Sequence, residues 1–97
     1  MSDDSSNKAV TVRIRGRVQG VWFRGWIADE ASSRGLSGWV RNRADGSVEA
    51  LFAGPIAAVD GMLETCRQGP PMAVVRGVDI AQAAPPSESG FRLLPTA

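Results

Sequence analysis

Histidine and tyrosine are absent from the 97-residue chain, and Cys66 is its only cysteine. A lone cysteine cannot form an internal disulfide bond, and without histidine no Cys/His metal cluster can be assembled. Only carboxylates remain as candidate metal ligands, and no metal site is predicted. Cys66 lies at helical spacing from Val59, Met62 and Leu63, which is typical of a buried packing residue.

Long apolar runs are also absent, and none approaches the roughly 20 residues that a membrane-spanning helix needs. The first six residues are polar and acidic and lack the basic and apolar pattern of an export signal. We therefore expect a cytoplasmic protein with no membrane partner. Its length and composition predict a loose, disordered tail at residues 1–7 and one domain at residues 8–97.

Charge is unevenly distributed, although the net charge is only +1. Seven arginines and two acids fall between Arg13 and Arg43, a local balance of +5, whereas residues 44–97 carry six acids and three arginines, a balance of −3. A basic segment of this size favours a compact anion as ligand over a long polyanion. The alternative is that these arginines are ordinary solvent-exposed residues on the outer faces of strands and bind no ligand.

The spacing of apolar residues changes along the chain. Segments in which every second residue is apolar predict strands, and segments in which an apolar residue recurs every three to four positions predict helices. The predicted strands cover 8–15, 36–41, 47–53 and 73–80, a short edge strand is expected at 91–94, and the predicted helices cover 22–34 and 55–68. The intervening segments, among them the loop at 16–20 and the turn at 43–46, are rich in glycine, proline and polar residues.

This element order, βαββαβ, predicts an α+β fold of the ferredoxin-like, split βαβ type. Two helices would cover one face of an antiparallel sheet, and the last segment could add a C-terminal edge strand. The same scaffold serves catalytic, regulatory and RNA-binding proteins, so function has to be argued from particular residues.

The stretch from Gly16 to Arg24 runs from the end of the first strand into the first turn of a helix. Gly16 and Gly20 allow the backbone to fold back, so that several N–H groups can converge on an anion next to the positive helix terminus. Arg24 would be repelled by that terminus unless an anion lay between them. The alternative interpretation is an ordinary strand-to-helix turn with a surface arginine.

Asn42 ends the second strand just before the hairpin turn formed by Asp45 and Gly46. Asparagine is common at such positions because its side chain bonds the local backbone. In the predicted fold, however, this strand end could lie beside the 16–20 loop, where an amide could hold a water against a bound phosphate. Sequence spacing alone leaves both interpretations open.

Two motifs resemble the acylphosphatase family: Gly-Arg-Val-Gln-Gly-Val-x-Phe-Arg at 16–24 and Gly-Trp-Val-Arg-Asn at 38–42. The similarity continues through 45–49, 69–71 and 73–75, so that it spans residues 8–94. It implies a hydrolase that splits small acyl phosphates into a carboxylate and inorganic phosphate, without a metal or other cofactor. We expect a monomer, which the size and composition of the chain permit. Trp22 is bulkier than the residues often found at its position. We expect its ring to pack over the start of the helix. The sequence does not determine how this ring affects the choice of substrate.

The resemblance also implies the roles of individual residues. Arg24 would bind the phosphate and Asn42 would position the attacking water. The remaining phosphate ligands would be backbone groups of the loop, at Arg17, Val18, Gln19, Gly20, Val21, Trp22 and Phe23.

The chemistry of the substrate is compatible with so few residues. The leaving group is a carboxylate whose acid has a pKa of about 4.3, so it departs without protonation and a general acid is unnecessary.

Two other functions are compatible with a fold of this type. A non-catalytic module could bind a small phosphorylated metabolite in the same loop, and RNA recognition would need stacking aromatics on exposed strand positions, where the sequence offers few. We therefore expect no nucleic-acid partner.

Overall fold

Five strands and two helices make up the protein in a computed structural model that describes residues 6–97. In chain order they are β1 (Asn7–Arg17), α1 (Phe23–Ser33), β2 (Ser37–Asn42), β3 (Val48–Pro55), α2 (Ile56–Gln68), β4 (Val74–Gln82) and β5 (Phe91–Leu93). The predicted order βαββαβ is confirmed, with the short C-terminal strand added. The tail predicted at 1–7 lies mostly outside the described residues, and β1 begins at Asn7, one residue before the predicted start.

The five strands form one sheet in the order β4-β1-β3-β2-β5. The pairs β1–β3, β1–β4 and β2–β3 are antiparallel. The final strand instead runs parallel to β2, with Gly38 opposite Phe91. The ferredoxin-like fold is confirmed, but the sheet is mixed and not wholly antiparallel, because the chain crosses from one sheet edge to the other before β5 begins.

A single apolar core joins the sheet to both helices. Alternate residues of β1 are buried on the helix side, as the period of two predicted. Helix α1 contributes Phe23, Ile27 and Ala31, and α2 contributes a second buried stripe, Val59, Met62, Leu63 and Cys66. Burying these faces together fixes the start of α1 against the ends of the central strands.

The end of β1 differs from the prediction. Gly16 does not begin the loop but lies within the strand, beside a register shift between Arg15 and Gly16. Its φ is +129°, and a Cβ there would lie 2.1 Å from the carbonyl oxygen of Val74. Gly16 is therefore required by the close approach of β4, and only residues 18–22 form the connection to α1.

The hairpin between β2 and β3 contains the predicted turn. The carboxylate of Asp45 accepts hydrogen bonds from the backbone N–H and the hydroxyl of Ser47, at 2.9 and 2.6 Å. These bonds, aided by Arg13, hold the pKa of Asp45 below its usual value. The turn places Asn42 and Ser47 on the same side of the molecule as the 18–22 loop.

Candidate active site

The loop at residues 18–22 reverses the chain between β1 and α1 through two residues of positive φ. Gly20 has φ +74°, and Trp22, the residue before α1, has φ +65°. Within residues 6–97, Trp22 is the only residue other than glycine with a positive φ. Left-handed backbone conformations separated by one residue turn successive N–H groups toward one side, as in anion-binding nests.

The N–H groups of this segment are available. Within the described part of the chain, no backbone N–H from Val18 to Arg24 donates to a main-chain carbonyl. Helix α1 also begins without a side-chain cap and without an acidic residue in its first turn. Its unpaired N–H groups and positive end therefore remain available to an anion.

The side chain of Gln19 fixes the loop to the neighbouring hairpin. Its Nε2 donates to the carbonyl oxygens of Arg43 and Ser47, both at 2.8 Å. The two donors of this amide are thus occupied by the protein. Gln19 holds the loop next to the end of β2, and its side-chain amide is not a free ligand.

Arg24 projects from the first turn of α1 toward the C-terminal segment. Its Nη1 donates to the carbonyl oxygen of Leu94 at 2.8 Å, and among residues 6–97 it forms no ion pair. A neutral carbonyl orients the guanidinium without neutralising it. The positive charge and the remaining N–H donors are left for a ligand.

Asn42 lies at the end of β2, opposite Val48 of β3. Its backbone carbonyl accepts a hydrogen bond from the N–H of Ala97 at 3.0 Å. Its side-chain oxygen, Oδ1, is buried and has no hydrogen-bond partner among residues 6–97. The sequence left open that this side chain bonds the backbone of the hairpin. The oxygen Oδ1 makes no such bond. Leaving a buried hydrogen-bond acceptor unpaired destabilises a protein by about 1–3 kcal/mol, so a ligand or water that donated to Oδ1 would be bound favourably.

These side chains meet in one open cavity of about 390 Å³. Among residues 6–97, Arg24 is the only charged residue that lines it. Its lining residues are Val18, Gln19, Gly20, Trp22, Phe23, Arg24, Gly25, Asn42 and Leu93.

Two of the predicted site residues do not line this cavity. Arg17 is exposed and paired with Val74 in β4, and Val21 packs against the core. A larger cavity, of about 930 Å³, lies between the start of β1, the end of β4 and Pro85–Pro86. None of the predicted site residues lines it. Its only charged lining residue, Lys8, forms an ion pair with Asp60.

Three features of the site were not predicted from the sequence. Gly25 and Leu93 line the cavity, and the carbonyl of Leu94 orients Arg24. Gly25 follows the motif directly and could have been suspected as a place of close approach. The contribution of residues 93 and 94 depends on the pairing of β5 with β2, which no local pattern indicates.

The geometry can be compared with known proteins. Residues 10–93 match the family model described as Acylphosphatase. The chain belongs to the acylphosphatase family. An acylphosphatase from Rhodospirillum rubrum is 55% identical over 89 residues, which span 92% of this chain and 98% of that protein.

Solved acylphosphatase structures have the same fold. The one from Coxiella burnetii superposes with a TM-score of 0.90 at 30% identity, covering 97% of this chain and 99% of that one. The one from Bacillus subtilis has a TM-score of 0.85 at 34% identity, covering 89% and 97%. The resemblance noted in the two sequence motifs is therefore confirmed for the chain as a whole and for its fold.

Two further observations concern the described residues. No helix within 6–97 is long and apolar enough to cross a membrane. The same residues bring together no group of three or more Cys, Asp or Glu side chains that could hold a metal ion.

Proposed function

We propose that the acylphosphatase reaction takes place in the 390 Å³ cavity, with its phosphate bound by the 18–24 segment. The chain hydrolyses the carboxyl–phosphate bond of small acyl phosphates to a carboxylate and inorganic phosphate. The observation that carries the assignment of the site is one cavity lined by loop residues whose N–H groups make no main-chain hydrogen bond, by Arg24, which forms no ion pair among residues 6–97, and by Asn42, whose Oδ1 has no partner there.

Phosphate binding is assigned to the loop and to Arg24. The N–H groups of residues 18–24 and the start of α1 would donate to the phosphate oxygens, and the guanidinium would supply paired, permanently charged donors. Val21 is retained only as a backbone ligand, since its side chain packs against the core. Arg17 was also predicted as a backbone ligand, but it lies in β1 opposite Val74 and is left out of the assignment. In phosphoryl transfer, such positioning and charge stabilisation provide most of the catalysis.

The attacking water is assigned to Asn42. Rotation of the terminal amide would present Oδ1 to a water in the cavity, which would donate one hydrogen to it and direct a lone pair at phosphorus. The new P–O bond forms as the P–O bond to the acyl group breaks, and the bonding pair leaves with the carboxylate. An amide cannot take up a proton near neutrality, so the proton of the water passes to a phosphate oxygen of the substrate.

This route for the proton makes a prediction about pH. The chain has no histidine, so kcat/KM should show no steep ionisation near pH 7 that belongs to a side chain of the free enzyme. Such an ionisation, after correction for the titration of the substrate, would contradict the proposed proton transfer.

The decisive experiment measures release of inorganic phosphate from acetyl phosphate in the presence of excess chelator. We expect turnover at a rate unaffected by the chelator. Phosphate binding without any release would support the second candidate, a non-catalytic module that binds small phosphorylated metabolites. Turnover abolished by the chelator would contradict a metal-independent mechanism.

A monomeric, cytoplasmic protein is proposed as the functional form. All groups assigned to the reaction come from one chain, so the site needs no second copy. The only cysteine, Cys66, is a buried free thiol, as is usual in a reducing compartment. Sedimentation and fractionation of the expressed protein test the two statements, and a dimer whose dissociation abolishes activity would contradict the first.

A further inference from the structure

Two large apolar side chains are exposed at the mouth of the same cavity. Trp22 is 63% exposed and Leu93 is 50% exposed, and both line the cavity that contains Arg24 and Asn42. Exposed apolar side chains are common singly, but a pair on the rim of a binding site marks a surface that a ligand can cover.

The backbone of Trp22 is held in an unfavourable conformation. A bulky residue at φ +65° is an outlier with an unfavourable backbone conformation, and glycine or asparagine would be accommodated more easily. An indole that remains largely exposed regains little of this cost through packing. Such outliers concentrate at functional sites, so the conformation points to a role for the ring itself.

Gly25 provides the surface on which the indole rests. A Cβ at position 25 would lie 2.3 Å from Nε1 and 2.8 Å from Cδ1 of Trp22. The ring therefore lies directly against the backbone of the first turn of α1, as expected from the sequence. This contact holds the indole beside the cavity instead of leaving it free in solvent.

Trp22 and Leu93 line the same cavity as the phosphate-binding group. Trp22 precedes Arg24 by two residues, and Leu93 precedes Leu94, whose carbonyl orients the guanidinium. If Arg24 and the loop amides hold the phosphate, these two side chains are the large exposed apolar groups that the cavity offers to the acyl group. Among residues 6–97, no carboxylate lines the cavity, and its only cation, Arg24, is the group assigned to the phosphate.

We propose that Trp22 and Leu93, here called the apolar rim, bind the acyl group and make the enzyme favour acyl phosphates whose acyl group is apolar and planar, such as an aromatic one. This inference rests on the proposed function. A flat acyl group can lie against the indole face and lose apolar surface to it, whereas an acetyl group is too small to cover the rim. A charged acyl group finds no additional partner there.

The test compares kcat/KM for benzoyl phosphate and acetyl phosphate in the parent enzyme and in Trp22→Asn and Leu93→Ser. Asparagine is chosen because it tolerates the left-handed backbone. Met72→Ser is the matched control, since Met72 is 65% exposed but does not line the cavity. We expect the benzoyl-to-acetyl ratio to fall about tenfold in Trp22→Asn and several-fold in Leu93→Ser, from the loss of apolar contact area, and to be unchanged in Met72→Ser.

Several outcomes would overturn the proposal. They are an unchanged ratio in both rim variants, an equal fall in the Met72→Ser control, or a Ki for inorganic phosphate that rises as much as the KM for benzoyl phosphate. Failure of the proposed function is recognised separately, because the parent enzyme would then hydrolyse neither compound. In that case calorimetric binding of benzoylphosphonate and acetylphosphonate, whose carbon–phosphorus bonds resist hydrolysis, still tests the rim: the variants should lose affinity for the benzoyl compound alone.

Discussion

Arg24 differs from most other arginines of the chain in having no carboxylate partner within the part of the chain that the structure describes. Arg13, Arg15 and Arg34, for example, each pair with an acidic side chain. Repulsion between a guanidinium and the positive end of a helix would favour moving Arg24 away, yet the Leu94 carbonyl keeps it at the cavity. The conflict noted from the sequence is thus present in the structure, and a bound anion would relieve it.

Replacement of Arg24 by alanine should abolish phosphate affinity and turnover together. Loss of the main charged donor should lower kcat/KM by about 100-fold to 1000-fold or more, and competitive inhibition by inorganic phosphate should disappear. Arg67→Ala is the matched control, because Arg67 is exposed on α2. Retained phosphate inhibition in Arg24→Ala would contradict the assigned role.

Replacement of Asn42 by alanine should separate turnover from binding. The water would lose the group that orients it, so kcat should fall by about 100-fold or more, while the Ki for inorganic phosphate should change little because the loop and Arg24 remain. Steady-state kinetics with phosphate as inhibitor measure both quantities. A parallel loss of phosphate affinity would make Asn42 a phosphate ligand.

At this scale the sequence indicated Arg24 and Asn42, which line one cavity in the structure, but not all of their surroundings. Arg24 and Asn42 stand in motifs whose residue types match their chemistry. The positions of Arg17 and Val21 outside the cavity depend on where β1 ends, and the bulge at Gly16 extends that strand beyond the predicted boundary. Whether a backbone N–H faces a cavity depends on φ and ψ values that composition does not determine.

Among the elements, β2 contains a glycine at which the neighbouring strand leaves no room for a side chain. Gly38 has φ +138°, and a Cβ there would lie 1.8 Å from the carbonyl oxygen of Leu51 in β3. Helix α2 shows the opposite case at Gly61, which is exposed, has a helical backbone and has open space where a Cβ would lie. Glycine is therefore required at position 38, whereas a residue with a side chain would fit at position 61.

Alanine substitution should distinguish these two glycines. Gly38→Ala should lower the free energy of unfolding by about 2–4 kcal/mol, because strand β2 must move away from β3 and the backbone becomes strained. Gly61→Ala should raise it by about 0.5–1 kcal/mol, since alanine restricts the unfolded chain and favours the helix. Urea denaturation followed by circular dichroism measures both. Similar effects of the two substitutions would contradict the contacts described for Gly38.

The element order could be predicted because each segment carries its own period, from the alternation in β1 to the apolar stripe of α2. The boundary at Pro55 shifted slightly, since this residue precedes α2 instead of occupying its first turn. The three-residue β5 was expected only as an edge strand. Its parallel pairing with β2 could not be predicted, because three residues carry too little pattern to set direction or partner.

For the molecule as a whole, the ionisation of the Cys66 thiol is linked to folding, because the thiol is buried in the core only in the folded protein. Burial raises the pKa of Cys66 from 9.0 to about 12. The unfolded chain releases this proton near its ordinary pKa, whereas the folded protein retains it until the higher value. Between these values the folded state binds more protons, so its stability must fall as pH rises.

Alkaline denaturation should show this linkage. The contribution of Cys66 to stability is complete below about pH 9 and should decline by about 1.4 kcal/mol per pH unit above it, until the folded thiol ionises. Urea denaturation at several values from pH 8 to 11 measures the slope. The variant Cys66→Ala, although less stable at neutral pH, should show a shallower slope. Equal slopes would indicate that the native thiol ionises normally.

The strand order limits how small a working version of this protein could be. Every side chain assigned to phosphate binding and water positioning lies before residue 43, so the first half of the chain alone would be the obvious choice for a minimal enzyme. That half would fail, because β3 occupies the place between β1 and β2. Cutting the chain at the hairpin would leave a gap through the centre of the fragment, and hydrolysis would return only when the two pieces reassemble.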